Sequence, residues 1–372
     1  MNQWKLLRIF IPIVFLLTGC WGFEMLENRI IITGIGVDKL KEGYQVGTET
    51  IEFQGGPSGQ AAQVIPQFIE TTIPYRSIEI PLHQLQDRLS GSPFYPNIRI
   101  LVIGKEQAEA GIADIISHFI RDPDMRRVTQ VIISDERASD VMKIKTKRER
   151  TTSLYLESMV KGLEASGRSI PVDIGDISRA THEEKAVLVP VVAASPTHNE
   201  AKVIRSAVLE KGKIIDYLNQ EETFTIALFK GKMKSGSLQR PCPKTGKGSI
   251  AADITAVRSS VDPKIVDGKL VIEGKLKMTG SLSEYTCGDE RVRGRTSLKK
   301  IGSYLTKEAQ KEVNEKVNSI IHRGVDVLDL KTKLEKNPAE WKNIKAEFPK
   351  LLKQAEVNLD VKVELLLKGT ES

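Results

Sequence analysis

Two runs in the second half of the chain, Ile250–Val261 and Leu270–Leu282, constrain the fold more than any other feature. Apolar and polar residues alternate along both with period two, the mark of strands with one buried face. They flank Asp262-Pro263 and Asp267-Gly268, both turn-forming pairs, so a long antiparallel pair is expected. A third such run, Ala355–Leu367, puts Val357, Leu359, Val361, Val363 and Leu365 on one face and predicts a final strand. Ser297–Arg323 has the longest helical spacing, with Ile301, Leu305, Val313, Val317, Ile320 and Ile321 on one side. Shorter helices are expected at Leu328–Leu334 and Pro338–Phe348, the latter with Asn337 as cap and Pro338 in its first turn.

The first half reads as a hairpin, Ile30–Lys39 with Tyr44–Phe53, followed by a Gly/Pro/Ser loop at Gln54–Gln60. Helices are expected at Ser77–Leu89, Ala108–Ile120, Ser153–Leu163 and Asp173–Ala180, and strands at Ile98–Ile103, Val128–Ile133 and Ala186–Ala193. Lys143–Arg150 is a basic run of the kind that is usually a solvated linker or helix face. After the polar stretch Ser195–Lys202 comes a second hairpin, Val203–Glu210 with Lys213–Leu218 around Lys211-Gly212, and a helix at Gln220–Phe229. Gly231–Gly248 reads as loop. Helices and strands mix irregularly and hairpins are frequent. The expected class is α+β, two to three domains with mainly antiparallel sheets flanked by helices. The expected limits are 1–19 for a signal peptide, 20–198 for an N-terminal α+β region with room for two subdomains, and 199–372 for a C-terminal α+β domain.

The N-terminus carries an address. Lys5 and Arg8 precede the apolar run Ile9–Leu17, and Leu17-Thr18-Gly19-Cys20 follows as a lipobox. Nine apolar residues are too few to cross a bilayer core, which takes about 20. Cleavage before Cys20 leaves 353 of the 372 residues, with S-diacylglycerol and N-acyl groups expected on Cys20. Two acyl chains anchor stably where one does so only marginally. The tether that follows, Trp21–Arg29, is nine residues long, so it holds the first domain within about 30 Å of the lipid. Trp21 and Phe23 are candidates for the headgroup level, where amphipathic rings are favoured, or for packing on the protein's own surface.

The net charge of +7, or +5 without Lys5 and Arg8, suits an anionic membrane surface better than nucleic acid, and no nucleic-acid partner is expected. The two remaining cysteines, Cys242 and Cys287, either form a disulfide, which an exported protein permits, or stay as free thiols. Catalytic motifs are missing. Gly34-Ile35-Gly36 is a fragment of a dinucleotide fingerprint inside a strand, and Pro243–Ser249 lacks the first glycine and the hydroxyl residue of a phosphate loop. The five histidines are scattered, so no metal site, cofactor or enzyme activity is expected. One cluster stands out: Arg121-Asp122-Pro123-Asp124-Met125-Arg126-Arg127, between a helix and a strand. It reads either as a turn tied down by local ion pairs or as a patch facing a partner, with Arg121, Asp122 and Arg126 as interface candidates.

Four stretches carry a resemblance to a family. They are Gly19-Cys20-Trp21 with Leu26 and Ile31–Lys39; Leu101–Lys105 through Gly111-Ile112 to Arg121–Asp124 and Arg126; Ser206–Gly231; and Trp341–Phe348 with the last strand to Gly369. In this order they resemble the Ger(x)C lipoproteins, the C subunits of nutrient-germinant receptors of spore-forming bacteria. Gly22 and Met25 depart from the acidic residues that the family usually has there. The resemblance implies several α+β domains, no catalysis, and a lipoprotein on the outer face of the spore's inner membrane. It also implies partnership with membrane-embedded A and B subunits in response to small nutrients. Rival readings are a solute-binding lipoprotein that captures the nutrient itself, which needs a cleft between two lobes, and an exported hydrolase.

Overall fold

The structure, a computed structural model, describes residues 29–366 apart from 55–62, 74–81, 83, 86, 90, 146–148, 196, 198, 244–246 and 289–293. The expected signal peptide, Cys20, Trp21 and Phe23 lie outside the described residues, as do most of the Gln54–Gln60 loop and much of the helix expected at Ser77–Leu89. Of that helix, Leu82 and Leu85 are described, helical and buried.

The first sheet, A, has nine strands. Its antiparallel edge is β1 (Arg29–Lys39), β2 (Tyr44–Gln54) and β3 (Gln63–Ile73). Beside β1 run, all parallel to it, β5 (Ile100–Ile103), β6 (Gln130–Ser134) and β7 (Val187–Ser195), and the short β4 (Ser92–Phe94) pairs with the start of β1. The other edge is antiparallel again, β8 (Glu200–Glu210) and β9 (Lys213–Asn219). Both hairpins read from the sequence are there. The parallel centre is a refinement of the expected mainly antiparallel sheets, and it follows from burial. Helices cover both faces of β5 and β6, so their side chains are apolar on both sides and form continuous runs. On one face lie α1 (Lys105–Ala110), α2 (Ala113–Arg121) and α5 (Ile174–His182), packing Ile115, Phe119 and Ile177 on Leu101, Ile103 and Ile133. On the other lie α3 (Ala138–Met142) and α4 (Thr152–Gly162), packing Val141, Leu156 and Val160 on Ile100, Val102 and Ile132. The single helix expected over Ala108–Ile120 is two, broken at Gly111, whose φ of 122° a side chain rarely adopts.

The polar stretch at Ser195–Lys202 is the tip of the β7–β8 hairpin, where Ala194 pairs with Ala201. A domain limit at 198/199 therefore falls inside sheet A, with backbone hydrogen bonds joining the residues on its two sides. The hairpin continues through β9 into α6 (Gln220–Phe229), which opens with a capping box: Asn219 accepts from Glu222 N and Glu222 accepts from Asn219 N.

Sheet B has the order β10 (Gly236–Pro241), β11 (Ser249–Val266), β12 (Lys269–Tyr285), β13 (Glu356–Leu366). The long antiparallel pair is β11–β12, and it closes tightly at Asp267-Gly268, both with positive φ (49° and 74°). β13 lies parallel to β12. The inner face is covered by α7 (Gly294–His322), whose Leu305, Val313, Val317 and Ile320 join one core with Ile272, Leu276, Val361 and Val363. Three short helices, α8 (Leu330–Leu334), α9 (Pro338–Ile344) and α10 (Phe348–Lys353), lead into β13. Asn337 stands at the N-cap of α9, but its side chain makes no capping bond and instead donates to Glu340.

β13 is an edge strand, and α7 seals its backbone. Gln310 Nε2 donates to Leu359 O (2.6 Å) while Val361 N donates to Gln310 Oε1 (2.8 Å). One turn earlier, Val363 N donates to Thr306 Oγ1 (2.9 Å). These side chains stand in for a fifth strand and block edge-to-edge pairing. The double variant T306A/Q310A is expected to lose about 3 kcal/mol of stability, near 1 kcal/mol net for each of these three hydrogen bonds. It should also self-associate through β13, read by sedimentation velocity; a monomeric variant of unchanged stability would contradict this role.

Cys242, just after β10, is joined to Cys287, just after β12, with Cα atoms 5.4 Å apart. The bridge spans the start of β11 and closes a loop of 45 residues. On chain entropy such a loop is worth about 4 kcal/mol. Reduction, or the pair C242S/C287S, should lower the denaturation midpoint by that order; a change under about 1 kcal/mol would mean that sheet B does not rely on the bridge.

Candidate interface at one end of sheet A

Two buried carboxylates on the β1–β2 hairpin fix the helices of the face that carries α3 and α4. Asp38 accepts from Ala138 N (2.6 Å) and Ser139 N (3.1 Å) and so holds the first turn of α3. Burial pushes its pKa above the usual carboxylate range, against the pull of those hydrogen bonds and of Arg137. Glu49, 3% exposed, accepts from Thr152 N (2.6 Å), Ser153 N (2.9 Å) and Thr33 Oγ1 (2.9 Å), which fixes the start of α4. Gly34 makes this approach feasible: a Cβ there would lie 2.0 Å from Ser153 Oγ. The glycines of the discounted fingerprint are thus packing positions in β1.

On the opposite face, α2 ends at Arg121 in the turn that the sequence singles out. Asp122 N donates to His118 O (3.1 Å), Asp124 N to Asp122 Oδ1 (2.9 Å) and Met125 N to Asp122 O (3.2 Å). Met125 is buried in the core below, and Gly175 N donates to Arg127 O (2.9 Å). The turn is therefore held by an Asx turn, backbone bonds and one buried side chain. The ion pairs expected there are not what holds it: among the described residues none engages Arg121, Arg126 or Arg127. All three arginines are exposed, and Val128 beside them is 57% exposed.

Arg121, Asp122 and Asp124 border a shallow hollow of about 510 Å³ together with Leu82, Tyr95 and His118. Burial, then the carboxylates of Asp122 and Asp124, push the Tyr95 hydroxyl up to about 12, so it is a neutral donor near neutral pH. Tyr95 escaped sequence reasoning because it is distant in the chain and belongs to no motif. Val128 could have been found from its place beside the arginines of that cluster. A larger open groove of about 880 Å³ lies between α4 and the start of β8, lined by Tyr155, Met159, Arg168 and Lys202. Among the described residues there is no group of three or more His, Cys, Asp or Glu side chains placed to hold a metal ion. None of the described helices is long and apolar enough to cross a membrane.

Residues 23–194 match the family described as spore germination protein N-terminal domain, and residues 204–369 match spore germination B3/GerAC-like, C-terminal. The chain belongs to the Ger(x)C family of spore germination proteins. Two family members from Bacillus subtilis (strain 168) align over nearly their full length. Spore germination protein B3 is 21% identical, with 95% of each chain covered. Spore germination protein KC is 22% identical, with 96% of this chain and 93% of the relative covered. The crystal structure of the GerBC protein superposes with a TM-score of 0.60 at 18% identity, over 93% of this chain and all of that one, so the α+β fold is shared. The two family regions meet within the β7–β8 hairpin, between residues 194 and 204.

Proposed function

We propose that this protein is a non-enzymatic, lipid-anchored C subunit of a membrane nutrient-germinant receptor on the outer face of the spore's inner membrane. The observation that carries the reading is the succession of both family regions along one chain, behind residues 17–20 that read as a lipobox. Cys20 supplies the anchor, and Trp21, Phe23 and the turn at Arg121, Asp122 and Arg126 are the candidate contact residues. Its partners are the A and B subunits, and it binds neither nucleic acid nor a cofactor. The two family regions divide near residue 199, inside the shared sheet A.

Affinity capture of the tagged protein from detergent-solubilised spore inner membranes tests this. Recovery of the A and B subunits of one receptor is the expected result. Recovery of the protein alone from membranes that contain both subunits would overturn the assignment, and turnover of peptidoglycan by the purified protein would point to the hydrolase instead.

A further inference from the structure

We infer that the Arg121–Val128 turn is a membrane-facing tip that touches anionic lipid headgroups, an inference that rests on the lipid anchor proposed above. Its basis is the direction of the strands in sheet A. β1, β4, β5 and β6 are parallel, and the register Gly34–Ile100–Gln130 aligns them side by side. All four therefore begin at one end of the sheet. β1 starts at Arg29, five residues ahead of that register line, or about 17 Å at 3.3–3.4 Å per residue. The Arg121–Val128 turn enters β6 at the same end. The two are neighbours across β4: Arg29 pairs with Ser92, and Tyr95, just past β4, borders the hollow with Arg121, Asp122 and Asp124.

Cys20 precedes Arg29 by nine residues, a reach of about 30 Å at most. A lipid at Cys20 thus holds this end of sheet A toward the bilayer. What the tip presents fits that surface. Arg121, Arg126 and Arg127 project as three exposed cations that no ion pair engages among the described residues, and Val128 adds an exposed apolar side chain. Asp122 is partly withdrawn, its Oδ1 accepting Asp124 N. Juxtamembrane arginines near an anionic leaflet each add to binding, within a Debye length. Lys39, Lys41 and Lys105, at the opposite end of the sheet where β1 and β5 finish, are at least partly exposed and serve as a charge-matched control.

The test uses the mature chain with Cys20→Ser, so that no acyl group contributes. It is sedimented with vesicles of phosphatidylcholine alone or mixed equally with phosphatidylglycerol. Binding to the mixed vesicles only, weakened by salt, is expected. R121E/R126E/R127E should reduce it at least about tenfold, while K39E/K41E/K105E leaves it within about twofold. Should the triple variant misfold, a bimane dye on Val128→Cys of the acylated, vesicle-bound protein gives the second reading, with a blue shift expected. Failure to bind anionic vesicles, equal losses in both charge variants, or an unshifted dye would each overturn the inference. A triple variant that keeps vesicle binding but loses the receptor subunits would assign the tip to a protein contact instead. Palmitate labelling of Cys20 separates the two levels: a labelled protein with a non-binding tip refutes the tip alone, and an unlabelled one refutes the anchor.

Discussion

Cys20→Ala is expected to move the protein from the membrane fraction to the soluble fraction and to abolish the nutrient response of its receptor. On the anchor proposed above, a thioether-linked diacylglyceryl group and an N-acyl chain would supply the attachment, at about 0.8 kcal/mol per buried CH₂. Without them the attraction left is that of a few exposed basic residues, which salt screens. Loss of the anchor also removes the high local concentration beside membrane-embedded subunits, so assembly becomes an ordinary bimolecular event. Fractionation, palmitate labelling and the fall in optical density of germinating spores read the three consequences. Spores that carry only the soluble, unlabelled variant and still respond fully to their nutrient would sink the anchored-subunit reading.

Glu49→Ala is expected to be the most damaging single change in sheet A. It leaves the N–H groups of Thr152 and Ser153 without their acceptor at the start of α4, and the Thr33 hydroxyl without its side-chain acceptor. Hydrogen bonds to a charged acceptor are worth about 1.5–3 kcal/mol each, so two of them place the loss at roughly 3–6 kcal/mol. Glu49→Gln keeps one acceptor oxygen and the shape, and about half that cost is expected. Denaturant unfolding gives the magnitude, and faster amide exchange at residues 152–155 locates it. An alanine variant within about 1 kcal/mol of the native chain would show that water replaces the carboxylate at no great cost.

That contact shows where sequence reasoning stops. Glu49 and Ser153 are 104 residues apart, and no periodicity links them. Features that depend on near neighbours were legible: the alternation of β11 and β12, the helix at Gln220–Phe229, the long stripe of α7. The Asp-Pro turn at Arg121–Arg127 was legible too, because Asp and Pro encode it locally. What ties it down was not, since the buried Met125 and the bond from Gly175 depend on α5. The parallel centre of sheet A was hidden because an apolar run such as IRILVI does not state the direction of its neighbours. β10 was hidden in a stretch rich in Gly and Pro, where Pro241 is tolerated because the strand lies at an edge. β3 went unread because Gln63–Ile73 carries Gln, Pro, Glu and Thr rather than a strict alternation.

The β7–β8 hairpin has a consequence for how such proteins can exchange parts. Its strands, with β9, supply Leu188, Val208 and Leu218 to the core beneath sheet B while also completing sheet A. A chimera joined at residue 199 would take β7 from one parent and β8 from the other, so its seam would run through a nine-pair ladder and through all three hydrophobic cores. Specificity in this family should therefore change by substitution on the surface of an intact chain, and not by shuffling its halves.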